Sequence, residues 1–122
     1  MIAEIISVGD ELLSGFIVNR NASEIAEMLT ERGLAVARVV TVGDDATAIR
    51  GALDAALKTA DIVLMTGGLG PTPDDLTKSA VAAYFDSALV FSETVLRTIE
   101  GRFKAMGRVM SPLNRNQAEI PR

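Results

Sequence analysis

Cysteine, histidine and tryptophan are all absent from the 122 residues. Without cysteine there is no disulfide, no thiolate nucleophile and no zinc–sulfur site. Without histidine there is no serine–histidine triad and no imidazole ligand for a metal. Any metal must therefore sit on oxygen, which favours magnesium, manganese, calcium or a similar hard ion. Catalysis is left to carboxylates, lysine, arginine, hydroxyls, backbone amides and metal. A basic excess is missing too: 12 Lys and Arg against 16 Asp and Glu give a net charge of −4. That balance suits a phosphodiester backbone poorly, so nucleic acid is not the expected partner. No apolar run approaches the ~18–20 residues that cross a bilayer, so no membrane partner is expected either. The start, Met1-Ile2-Ala3-Glu4, lacks the basic region and cleavage site of a signal peptide, and the expected compartment is the cytoplasm.

What is present is an ordinary globular composition, 48% hydrophobic and 23% charged, in a length that suits one domain. The pattern alternates strand and helix. Glu4 to Val8 is a short apolar run closed by Gly9 and reads as a buried strand. Asn21 to Leu34 reads as a helix, with Asn21 as cap, Glu24 completing a capping-box pattern and Gly33 as stop. Ala35 to Val42 is a second strand, closed by Gly43-Asp44. Asp45 is placed to cap a helix whose apolar stripe is Ile49, Ala52, Leu53, Ala56 and Leu57. Asp61 to Met65 is a third strand. Asp74 or Asp75 is expected to start a further helix that runs to Phe85. Ala88 to Phe91 reads as a short strand, and Ser92 caps a last helix with Val95, Leu96, Ile99, Phe103 and Met106 inward. The remaining methionines and the four phenylalanines are expected mostly at core positions. From Met110 the periodicity dissolves into a tail expected to be irregular. The order implies a three-layer α/β/α fold with a mainly parallel sheet and helical crossovers. Ligands in such sheets bind beyond the carboxyl ends of the strands. The segments there are Gly9 to Gly15, Gly43 to Asp45, and Thr66 to Asp75.

The stretch Thr66 to Thr77, TGGLGPTPDDLT, holds three glycines and two prolines. Glycines let a backbone approach a ligand closely, and their amides can receive phosphate oxygens. It is neither a Walker loop nor a GxGxxG fingerprint. Asp74-Asp75 has a plain reading as helix capping and a functional one beside the acidic pair Asp10-Glu11. Asp44-Asp45 is a third acidic pair at the same edge. Carboxylates beside phosphate-binding amides repel a phosphorylated ligand unless a cation stands between them. The set therefore suggests a metal-bridged nucleotide or phosphorylated cofactor. Lys78 reads as solvated or as reaching a phosphate. Ser14, Asn19 and Asn21 are polar groups within reach of a ligand edge, and Arg115 and Asn116 lie in the tail.

Four ordered segments carry a resemblance that spans nearly the whole chain: GDELLSG followed by IVNRNA, then VGDD, TGGLGPTPDDLT and SPLNRNQA. Together they resemble the N-terminal domain of CinA, the competence/damage-inducible protein. That domain sits in the wider molybdopterin-binding group with MoaB, MogA and the MoeA core domain. The resemblance implies a MogA/MoaB-type fold over residues 1–122, a divalent-metal-dependent ADP-ribose pyrophosphatase activity, and a homo-oligomer, dimer or trimer. It also implies a pterin-phosphate site in the molybdenum-cofactor relatives. By position, Gly67, Gly68 and Gly70 match the phosphate-cradling loop. Asp75, with Asp74 beside it, matches the aspartate after that loop, and Asp10 and Glu11 match the first-loop acidic segment. Position 10 is often Thr in that family, which leaves Glu11 as the firmer ligand candidate. The family continues past the point matching Arg122 with a GTAPG loop and a proline-rich segment, so the resemblance implies a domain cut short at its C-terminal end.

The expectation is hydrolysis of a nucleotide diphosphate with Mg, Mn or Co. Asp75, Asp74 and Glu11 would be the catalytic groups, and Asp75 and Glu11 the metal ligands. Thr66, Gly67, Gly68, Gly70, Thr72, Asp10, Ser14 and Lys78 would contact the ligand. The alternative is a pterin-phosphate binding module that hydrolyses nothing.

Overall fold

The computed structural model describes all residues from Met1 to Arg122. Strand β1, Ile2–Val8, is apolar at five of its seven positions, Glu4 and Ser7 being the others, and is buried from Ala3 onward, as a central parallel strand must be. It lies between β2, Ala35–Val42, and β3, Ile62–Thr66, both parallel to it, in the order β2-β1-β3. Alternate β1 residues serve opposite faces. Ile6 and Val8 form the main core with Ile49, Leu53 and Ala56 of α3, Ala46–Leu57. Val81 and Tyr84 of α4, Thr77–Tyr84, pack against that cluster. On the other face α2, Arg20–Glu31, packs over β1 and β2 and buries Ala22. These are the three layers the sequence implies. A short helix α1, Asp10–Leu13, follows β1 directly.

A bulge between Ala3 and Glu4 shifts the β1–β2 pairing so that Glu4 faces Arg38 and not Ala37. The buried Glu4 carboxylate accepts from Arg38 Nε at 3.0 Å, from its second guanidinium nitrogen at 2.7 Å, and from Thr59 Oγ1 at 2.6 Å. The Thr59 hydroxyl holds the Glu4 pKa below its ordinary value; burial works against it and Arg38 reinforces it. A charge placed inside a sheet is thus fully met by donors, as burial requires.

Several boundaries differ from the expectations. The α2 cap is Asn19, not Asn21: Asn19 Oδ1 accepts from the Ala22 amide at 3.2 Å while its Nδ2 donates to Ser7 Oγ at 2.8 Å. Asn19 alone can serve the helix and the strand together. The helix ends as expected at Gly33 (φ 78°), whose amide donates to the Thr30 carbonyl while Leu34 donates to Leu29. Neither Asp74 nor Asp75 starts α4. The helix begins at Thr77 after Leu76 with no side-chain cap, because the Asp75 carboxylate is spent on the loop before it. Asp45 and Ser92 do cap α3 and α5, Glu93–Ala105.

The tail is ordered. Ser111 and Asn114 build a reciprocal capping box on a 3-10 helix, Pro112–Ala118. Strand β5, Glu119–Pro121, then pairs antiparallel with β4, Leu89–Phe91. Helix α5 packs chiefly on that 3-10 helix and buries Leu96 alone, so Met106 is 58% exposed instead of inward. Phe16, Phe85 and Phe91 are also exposed, as are Met1 and Met28, rather than at core positions.

Candidate functional site between strands β1 and β3

The chain steps from β1 to β2 on one side, then crosses back over β1 to β3 on the other. The order reverses between β1 and β3, and the connections after these two strands leave towards opposite faces. A crevice opens at such a switch point, at the carboxyl ends of the strands. A cavity of about 260 Å³ lies there, lined by Val8, Glu11, Leu12, Ile17, Val18, Asn19, Arg20, Asn21, Thr66 and Gly67.

Glycine is required at its floor. Gly67 has φ 85°, and a Cβ there would fall onto the Val8 carbonyl oxygen of the neighbouring strand. Gly68, at φ 64°, would drive a Cβ into the Thr77 hydroxyl. Thr77, 2% exposed, fastens this turn: its Oγ1 donates to the Gly67 carbonyl at 2.7 Å and its amide to the Gly68 carbonyl at 3.2 Å. A first helical residue thus holds the loop that precedes its own helix. Thr77 closes the glycine motif in sequence but has no evident role there; a hydroxyl ten residues after the first loop glycine was the available signal.

Further along, Asp75 organises the loop's second half. Its Oδ2 accepts from the Thr72 amide at 3.0 Å and from Thr72 Oγ1 at 2.7 Å, while the Asp75 amide returns a bond to the Thr72 carbonyl at 3.0 Å. The Thr72 hydroxyl holds the Asp75 carboxyl below the usual range; partial burial opposes this, and the Thr72 and Gly70 amides add to it. Gly70 gives the carboxylate room, since a Cβ there would stand 2.6 Å from Oδ2. Asp75, Gly70, Thr72 and Lys78 line a second cavity of about 250 Å³ along the second half of the loop, with Asn116 and Glu119 also lining it. Lys78, half-buried, is engaged within the chain: Nζ donates to the Asn116 carbonyl at 2.7 Å, in an exposed bond that ties α4 to the tail. Arg115 lies over the Phe91 ring at 4.4 Å.

The loops after β1 and β2 are clasped by a matched pair. The Asp10 amide donates to Asp44 Oδ2 at 3.2 Å, and the Asp44 amide donates to Asp10 Oδ1 at 2.9 Å. Ser14 is exposed and donates to the Glu11 carbonyl at 3.2 Å. Glu11 lines the first cavity and Asp75 the second, so the two carboxylates do not share one cavity. Asp74 is exposed and lines neither cavity. No three acidic side chains converge closely enough to hold a metal by themselves.

A family model described as a probable molybdopterin binding domain matches residues 4–119. The chain belongs to that family. Within it the chain is CinA-like. It is 48% identical over 121 residues to a putative competence-damage inducible protein of Caldicellulosiruptor saccharolyticus, covering 99% of this chain and 29% of that one. A CinA-like protein of Trichormus variabilis is 46% identical with the same coverage. The chain therefore spans under a third of the length of these relatives, at 29%. Among solved structures, CinA of Thermoplasma acidophilum, described as of unknown function, superposes with a TM-score of 0.85 at 38% identity. That match covers 98% of this chain and 70% of the other. The molybdopterin biosynthesis enzyme MoaB of Thermus thermophilus gives a TM-score of 0.63 at 27% identity, over 67% of this chain and 53% of that one. In this molybdopterin-binding-type domain, the mainly parallel α/β sheet and the glycine turn at its switch point are the frame on which the acidic residues are arranged. No helix is long and apolar enough to cross a membrane.

Proposed function

We propose that the crevice binds a phosphorylated small molecule and that the domain formed by residues 1–122 hydrolyses a nucleotide diphosphate of the ADP-ribose kind with a divalent cation. The observation behind this reading is the Gly67-Gly68 turn, held open at the switch point where no side chain fits. Backbone amides there would face ligand oxygens and stabilise charge that develops on phosphorus. Glu11 is the free carboxylate of the cavity: no donor of the chain bonds its side chain, so it is available to orient or deprotonate water. Asp75 would keep the loop closed through Thr72 and retain Oδ1 outside those two bonds.

The donor set fits magnesium, manganese or cobalt as an ion shared with the ligand. Glu11 would supply the one carboxylate of the crevice, with phosphate and water supplying the rest, as is usual for such ions; Asp75, in the other cavity, would act on the same ion only through the loop it closes. When bound, the cation would polarise phosphorus and neutralise the diphosphate. A homo-oligomer belongs to the same proposal, supported by the exposed apolar run Leu13, Phe16, Ile17 and Val18.

The second reading is a pterin-phosphate site without hydrolysis. It is supported by the family match and by the absence of a three-carboxylate cluster. One experiment separates the two: AMP release from ADP-ribose, FAD and NAD with Mg, Mn or Co, with a chelator control. Metal-dependent turnover that falls about 100-fold in Glu11→Gln supports hydrolysis. Turnover unchanged in both Glu11→Gln and Asp75→Asn would overturn the assignment of these residues. No turnover, with a fluorescent pterin copurifying, supports the second reading.

A further inference from the structure

We infer that Arg20 is the residue that selects phosphorylated ligands in the β1–β3 crevice. The inference rests on the reading above for the class of ligand and adds the group that recognises it. Arg20 and Glu11 line the same cavity, together with Asn21, Thr66 and Gly67. They carry opposite charges and yet do not pair: the ion pairs of the chain are Arg38–Glu4 and Lys58–Asp54. The arginine side chains that donate hydrogen bonds within the chain are those of Arg32 and Arg38. Arg20 thus lines the cavity, exposed, with none of its guanidinium donors spent within the chain.

Its position within the chain makes that costly. Arg20 is the first residue of α2, where a cation meets the helix's own positive end. A local rule broken with no compensation inside the molecule points to a compensation outside it. An anion supplies one. Guanidinium presents a planar fork that matches two phosphate oxygens at once. The backbone of Gly67, bare of a side chain, lines the same cavity and leaves room for the phosphate to approach. Glu11 sharpens the choice, since it repels an anion that does not turn its charge towards Arg20. A nucleoside without phosphate gains nothing from this arrangement.

The test is calorimetric titration of the chain at low salt with inorganic pyrophosphate, ADP and adenosine, comparing the native chain with Arg20→Gln and Arg20→Lys. Arg20→Gln should weaken pyrophosphate and ADP binding at least about 10-fold, and Arg20→Lys should fall between. Adenosine binding should not move, and the Tm of Arg20→Gln should hold or rise slightly, because Arg20 is exposed, bonds nothing through its side chain and sits at the positive end of α2. Equal pyrophosphate affinity in the native chain and Arg20→Gln would overturn the inference, as would a native chain that does not bind pyrophosphate. The failures are separable. Weakened binding with no hydrolysis by the native chain keeps the role of Arg20 and removes the hydrolase reading. Normal hydrolysis with unaltered binding in Arg20→Gln does the reverse.

Discussion

The stretch up to Tyr84 and the stretch after it are held together by different means. All but two of the 15 buried residues lie in the first, around β1; Leu96 and Ala118 are the exceptions. The second stretch relies on hydrogen bonds: the Ser111–Asn114 box, the β4–β5 pairing and the Lys78–Asn116 link. Apolar burial contributes in proportion to area and is hard to undo locally, whereas exposed hydrogen bonds exchange readily with water. The glycine loop belongs to the first stretch, so the floor of the crevice is fixed by the core. The far wall of the second cavity belongs to the second stretch and is tethered only at its edge.

The largest break in this contrast should come from Ile49→Ala. Ile49 is fully buried against Ile6 and Val8, and its truncation should cost about 3–4 kcal/mol in urea unfolding. Gly67→Ala comes next, at about 2–3 kcal/mol, from the positive φ and the collision with Val8. It should also abolish pyrophosphate binding, which separates it from a core mutation of similar size. Leu96→Ala, in the second stretch, should cost about 2 kcal/mol, the lower end of the range for such truncations.

Acid sharpens the same contrast. Glu4 has a depressed folded-state pKa, so its contribution is complete above its ordinary value of 4.5 and is lost as pH falls through the folded value. Urea midpoints measured across roughly pH 3–6 should therefore decline towards acid, and Glu4→Gln should flatten that limb. The smallest effect is expected from Lys78→Met, below about 1 kcal/mol because the bond is exposed. Its signature should instead be faster amide exchange confined to residues 112–118, with α3 unchanged.

Most of the first stretch was legible because it is periodic. The run Ile49, Leu53, Ala56 marks a helix face, and β-branched runs closed by glycine mark strands. The second stretch is not periodic at that scale: a 3-10 helix held by Ser111 and Asn114 and a strand of three residues leave no apolar rhythm. Capping was ambiguous where two asparagines stand two apart, and Asn19 won because Ser7 lies within its reach. Asp75 sits where a cap belongs, yet Thr72 claims its carboxylate first. The loop positions of the site were readable from composition. The mutual Asp10–Asp44 clasp and the unspent charge on Arg20 were not, since each depends on which strands become neighbours.

The bulge opposite Glu4 gives β2 a spare residue. Deleting Ala37 would leave Arg38 facing Glu4 and every later rung of the ladder paired as before. Deleting a residue between Val39 and Val42 would instead drag Gly43 and Asp44 one step along the sheet, out of reach of Asp10. Along this strand, tolerance to loss of length is therefore concentrated at one position, and it lies at the end away from the crevice.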